Sequence, residues 1–148
     1  MSTRSVTGIW KPEGDPIGVG VYVHSDGYPE GRLPDLKKMI TRDGPEKVVQ
    51  TILSAKRGGW SYLDVEYANN YLGEDRAKLV PGYGLMFLDG DHEPKPLRHS
   101  EVIRTFWCEY AYYIDVETGD IHWYESSDPT EHVELFSDYV TEVKKVDS

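Results

Sequence analysis

Apolar and β-branched residues alternate in two stretches near the amino end, TRSVTGIW (3–10) and VGVYVHS (19–25), and this period of two predicts two β-strands. Between them KPEGDPIG holds two prolines and two glycines, a turn that makes the two strands antiparallel neighbours. The alternation stops at DGYPEG. Beyond it Leu33, Leu36, Met39 and Ile40 recur at helical spacing, with Pro34 expected in a first turn. Asp43-Gly44 interrupts that pattern, and Pro45 suits the start of a second helix with Val48, Val49, Ile52 and Leu53 as its apolar stripe. Lys56 and Arg57 fit the negative end of its dipole, and Gly58-Gly59 is expected to close it.

Downstream, WSYLDVEY reads as a strand and NNYLGEDRAKLV as a polar excursion with a short helical turn. GYGLMFLDG reads as a strand ending in a turn, and DHEPKPLRHS as a loop. The segment TFWCEYAYYIDVETGDIHWYES (105–126) has two aromatic, β-branched runs around a turn in which Gly119 supplies a positive φ, so a hairpin is expected. Alternation places Phe106, Cys108, Tyr110, Tyr112 and Ile114 on one face, the core face, and Trp107, Glu109, Ala111, Tyr113 and Asp115 on the other. Asp128-Pro129 is expected to start a last helix carrying Val133, Leu135, Phe136 and Tyr139, and residues 143–148 to fray. The pattern predicts one α+β domain over 1–148: a mostly antiparallel sheet of about five strands with two or three helices packed on it.

Composition narrows the picture. Of 148 residues 39% are apolar, with 11 Tyr and 4 Trp, enough for a core without disulfide or metal staples. No apolar run is long enough to span a bilayer, and MSTRSVTGIW lacks the apolar stretch of a secretory signal. Cys108 is the single cysteine and fits a reducing compartment, so a soluble, cytoplasmic protein is expected. The net charge is -10 and uneven: residues 1–108 carry 15 acidic and 14 basic side chains, residues 109–148 carry 11 and 2. Direct nucleic-acid binding is disfavoured, because phosphates need clustered Lys and Arg. The acidic end is expected to be a solvated surface, the alternative being a face for a basic partner or a nucleic-acid mimic.

Candidate chemistry gathers where the second strand ends, at VYVHSDGYPEG. A residue leaving a strand projects into the space beyond the sheet edge, where functional loops are held. His24 can exchange a proton near neutral pH and Asp26 can orient it, while Tyr28 offers a ring or a hydroxyl. Arg4 is the polar residue at the start of the first strand and can pair with Asp26. Asp-Gly-Tyr-Pro is also good turn chemistry, which is the structural explanation of the same residues. Removal of Met1 would expose Ser2 as an N-terminal nucleophile. DGDHEP (89–94) is too short for an EF-hand, and His92 and His99 lack zinc-site spacing, so no metal site is expected. Phosphate-loop, dinucleotide, serine-hydrolase and zincin motifs are absent, and no cofactor is expected. Cys108 reads as a small core residue, and Trp107, Tyr113, Trp123 and Tyr124 as packed aromatics.

Thr3-Arg4 opening a strand, YVHSDGYPEG closing the next, and GYGLMF followed by WCEYAYYIDVETGDIHWYE together resemble a group of small bacterial and phage proteins. The resemblance runs from Thr3 to about Tyr124 and is carried best by Asp26, Gly27, Tyr28, Pro29 and Gly31, with Arg4 in support. It implies a shared architecture and a common pocket rather than a reaction. The expected function is non-enzymatic binding, in which Arg4, His24, Asp26 and Tyr28 hold a polar ligand or partner. The alternatives are a small hydrolase using Ser2 or a His24–Asp26 pair, and an acidic inhibitor of a host nucleic-acid-binding factor.

Overall fold

The two strands read first in the sequence pair as expected: β1 (Ser5–Trp10) and β2 (Gly18–Val23) are antiparallel, with Ser5 opposite Val23 and Trp10 opposite Gly18. The computed structural model describes residues 3–12, 17–25, 27–66, 69–90, 93–98, 108–125 and 128–147. Among these, nine strands form one mixed sheet and three helices accompany it, in place of the expected five or so antiparallel strands.

Helix α1 (Pro29–Asp43) starts sooner than its apolar pattern suggests. Pro29, not Pro34, opens it, after Tyr28 as an extended N-cap. Proline suits this position because its fixed φ is helical and its missing N–H is not needed there. Gly27, Tyr28 and Pro29 therefore lead into the helix. Helix α2 (Pro45–Leu53) follows across Gly44 and buries Val48, Val49 and Ile52. Each such burial contributes about 1.5–3 kcal/mol relative to exposure.

Helix α2 ends at Leu53, before Lys56 and Arg57, so Gly58-Gly59 is not its cap. Gly59 has φ +70°, and a Cβ there would lie 2.1 Å from the Tyr22 carbonyl oxygen. Glycine is what lets the chain approach β2 and run into β3 (Trp60–Leu63). Strands β2 and β3 are parallel: Val23 faces Trp60, and the His24 and Ser25 amides donate to the Trp60 and Ser61 carbonyls at 2.9 and 3.0 Å. The chain from β2 through both helices to β3 is thus a crossover between parallel strands.

The remaining strands are β4 (Ala77–Val80), β5 (Gly84–Phe87), β6 (Lys95–Leu97), β7 (Tyr110–Ile114), β8 (Ile121–Glu125) and β9 (Asp128–Glu134), followed by α3 (Phe136–Asp147). Their order is β4-β5-β3-β2-β1-β7-β8-β9, and β6 pairs with the first half of β2. Three expectations are corrected. The polar excursion before Pro81 ends in strand β4, and the loop around Pro96 contains strand β6. Asp128-Pro129 starts a strand rather than a helix, because residues 128–134 complete the edge of β8 and α3 begins only at Phe136. The hairpin β7–β8 is present around Gly119, with Ile114 opposite Ile121, and a second parallel pair joins β1 to β7.

Both faces of the central sheet are buried. The helical face packs Val21, Val23, Tyr112, Ile114 and Ile121 with Leu36, Ile40, Val48 and Ile52. The opposite face buries Val6, Tyr22, Ala111, Tyr113 and Tyr124. Cys108 belongs to this second cluster, contrary to its expected alternation with Tyr112, because the chain at 108–109 precedes the strand and does not keep its pleat. No described helix is long and apolar enough to cross a membrane.

Candidate functional site

The junction at 27–32 is held from both sides. The Gly27 amide donates to the Thr3 carbonyl at 2.8 Å, and the Gly27 carbonyl accepts from the buried Tyr112 hydroxyl at 2.6 Å. A Cβ at residue 27 would stand 2.6 Å from Ser5 Cβ and 2.7 Å from the Thr3 carbonyl oxygen, so the glycine is dictated by close approach. Beside it lies Arg32, fully buried on the first turns of α1. One terminal nitrogen of its guanidinium donates to the Ser25 carbonyl at 2.8 Å and the other to the Leu63 carbonyl at 3.1 Å. Arg32 therefore ties together the diverging ends of the parallel strands β2 and β3.

Above this brace is a cleft of about 360 Å³ lined by Ser25, Tyr28, Gly31, Asp35, Tyr62, Leu63, Asp64 and Tyr71. Ser25 and Tyr28 come from the junction, Gly31 and Asp35 from α1, and the rest from β3 and the chain after it. Tyr28 and Tyr71 are exposed at its rim, at 41% and 59%. The Tyr71 hydroxyl is hydrogen-bonded to Ser61. The Tyr62 hydroxyl donates to the Asn69 carbonyl and accepts from the Asn69 amide, each at 2.9 Å, so that ring is a fixed wall. Asp35 accepts from the Val65 amide at 3.1 Å, and Asp64 from the Glu66 amide at 2.8 Å. Burial raises the Asp35 carboxyl above the usual range; the Val65 hydrogen bond opposes this, and Asp64 nearby adds to it.

The residues anticipated for the site divide. Tyr28 lines the cleft. His24 stands outside its lining, its Nδ1 and the Tyr22 hydroxyl sharing a hydrogen bond of 2.5 Å, with Arg4 beside both. Burial, and secondarily the Arg4 charge, hold the His24 pKa below its ordinary value. Burial drives the Cys108 thiol well upward, so it is an unreactive neighbour of Arg4. Asp26 and Ser2 lie outside the described residues, as do Asp91, His92, His99, Phe106 and Trp107. Tyr113 and Tyr124 are buried, and Trp123 stacks on His132 at 4.1 Å. Among the described residues, no group of three or more His, Cys, Asp or Glu side chains is placed to hold a metal ion.

A larger hollow of about 570 Å³ lies beside edge strand β4, lined by Asn70, Gly73, Glu74, Ala77, Lys78, Leu79 and Leu88. There the Asn70 side chain already donates to the Ala77 carbonyl at 2.9 Å, and Lys78 is exposed on the strand, features that blunt an open edge.

Fold and cleft define an α+β domain with a crevice off the carboxyl ends of two parallel strands. Compared with known proteins, the chain has no match: no family model, no curated protein and no solved structure is similar to it.

Proposed function

We propose that this chain is a non-enzymatic binding protein and that the cleft under Tyr28 receives its polar ligand or a side chain of its partner. The observation that carries this reading is position: the cleft opens off the carboxyl ends of β2 and β3, flanked by the first turns of the crossover helix. In open sheets with parallel strands this is where ligands bind, because diverging connections leave a crevice there. The frame is rigid, since Arg32 and the anchored Gly27 fix the floor and one rim.

Amide chemical-shift mapping against a panel of small amines, carboxylates, sugars and phosphate esters tests this. The expected footprint covers Ser25, Tyr28, Gly31, Leu63 and Asp64. Tyr71→Ala should erase it at a cost of about 1–3 kcal/mol in stability, because the buried Ser61 hydroxyl loses its partner. A footprint centred elsewhere, or none with any member of the panel, ends the proposal.

A further inference from the structure

We propose that the cleft selects a cationic head on a short apolar stem: an alkylammonium or alkylguanidinium, carried either by a free small amine or by a Lys or Arg side chain of a partner protein. The inference rests on the cleft being the binding site and specifies what it holds.

The lining combines tyrosine rings with two carboxylates, Asp35 and Asp64. Tyrosine rings present a negative face that attracts a cation and an apolar body that covers a hydrocarbon stem. Of the charges acting on Asp35, Asp64 has the largest effect and raises its pKa, while Arg32 and Lys38 each act the other way. A bound cation relieves that repulsion and replaces the hydration that half-buried Asp35 has lost; a neutral polyol does neither, and an anion worsens both. The protein's own nearby cations act on Asp35 from a distance and make hydrogen bonds elsewhere. Arg32 gives its terminal nitrogens to the Ser25 and Leu63 carbonyls, and Lys38 reaches Glu66 at 3.4 Å. The cleft's volume sits at the lower end for small-ligand sites, which suits one side-chain-sized group. The net charge of -10 draws cations toward the molecule from a distance.

The test uses the intact chain with four probes of matched length: n-pentylammonium, 1-pentanol, pentanoate and N-acetyl-lysine N-methylamide. Affinity is read from the shifts of the Ser25, Gly31 and Leu63 amides. Both cations should bind about tenfold or more tighter than 1-pentanol, and pentanoate should leave those amides unmoved. Asp35→Asn keeps an acceptor for the Val65 amide, so it should fold and yet weaken both cations at least about fivefold. Asp64→Asn should act in the same direction, and Glu117→Gln, in the distant β7–β8 turn, should change nothing. Tighter binding of the free amine identifies a small-molecule ligand; equal or tighter binding of the blocked lysine identifies a partner's side chain. If 1-pentanol binds in the cleft as tightly as the ammonium, or if both Asn variants bind unchanged, the charge selection is wrong while the binding site survives. If no probe and no member of the wider panel moves the cleft amides, the site itself is wrong.

Discussion

The Tyr112 hydroxyl donates to the Gly27 carbonyl across 2.6 Å, joining the middle of β7 to the junction between β2 and α1, 85 residues away in sequence. Tyr112 is fully buried, and its hydroxyl is held far above its ordinary pKa by that burial, so it remains a donor at any physiological pH. Tyr112→Phe should lower stability by about 1–3 kcal/mol, since a buried carbonyl loses its donor. Urea unfolding would show this as a lower midpoint with an unchanged slope. An unchanged midpoint would mean that water serves the carbonyl equally well.

Gly27→Ala is expected to cost more than a usual surface substitution. Its methyl group meets Ser5 Cβ and the Thr3 carbonyl, and one of those contacts is backbone. Overpacking of this kind costs about 1–3 kcal/mol. The cleft footprint should weaken too, because relieving the clash moves the Tyr28 rim. Wild-type stability and ligand footprint in this variant would show that the junction is free to move.

Arg32→Met preserves the stem but leaves the Ser25 and Leu63 carbonyls without their donors, so a loss of about 2–4 kcal/mol is expected. Arg32→Lys should recover only part of it, because one ammonium group does not span both strand ends as a planar fork does. Hydrogen exchange at the His24 and Ser25 amides should speed up in the Met variant, reporting separation of β2 from β3. If exchange there is unaffected, Arg32 fills space without bracing the strands.

His24 makes stability depend on pH in a defined direction. Its folded pKa lies below the unfolded value of 6.5, so the unfolded chain takes up the proton more readily. Its contribution is complete above pH 6.5 and is lost as pH falls through 6.5 toward the folded pKa. His24→Gln should therefore flatten the fall in melting temperature between pH 7.5 and 5. A variant with the same slope as wild type would assign that pH dependence to other groups.

What could be read from the sequence was local. The β1–β2 pair, both helix stripes and the β7–β8 hairpin follow from periods of two and 3.6 punctuated by Gly and Pro. Strands β4, β6 and β9 were hidden because they are short or polar and owe their conformation to a neighbour already in the sheet. Asp128-Pro129 is good chemistry for a helix start, and pairing with β8 overrode it. Alternation also cannot name partners, so the parallel β1–β7 and β2–β3 pairs were out of reach. At the site, Tyr28 was visible. Arg32 had a signal that went unused: a charged residue sitting at helical spacing within the stripe of Leu33, Leu36, Met39 and Ile40. Asp35, Asp64 and Tyr71 meet only through the crossover and carry no local mark.

Strand β1 sits between β2, which follows it closely, and β7, about a hundred residues on. A chain emerging from the ribosome can zip β1 to β2 early, yet the other edge of β1 has no partner until Tyr110–Ile114 has been made. For most of synthesis, then, Val6, Ile9 and their backbone present an open, apolar template in the middle of the future sheet. Such late long-range closure slows folding and leaves room for pairing with the wrong chain. The space at Gly18 of β2 is taken by the Tyr113 ring of β7 and the Ile9 carbonyl, while that at Gly20 is taken by Val6 of β1, so part of the packing over β2 also waits for β7. The centre of this sheet is thus closed only when β7 has been made, just ahead of its last two strands, and the yield on synthesis should depend on temperature and chaperone supply more steeply than the final stability does.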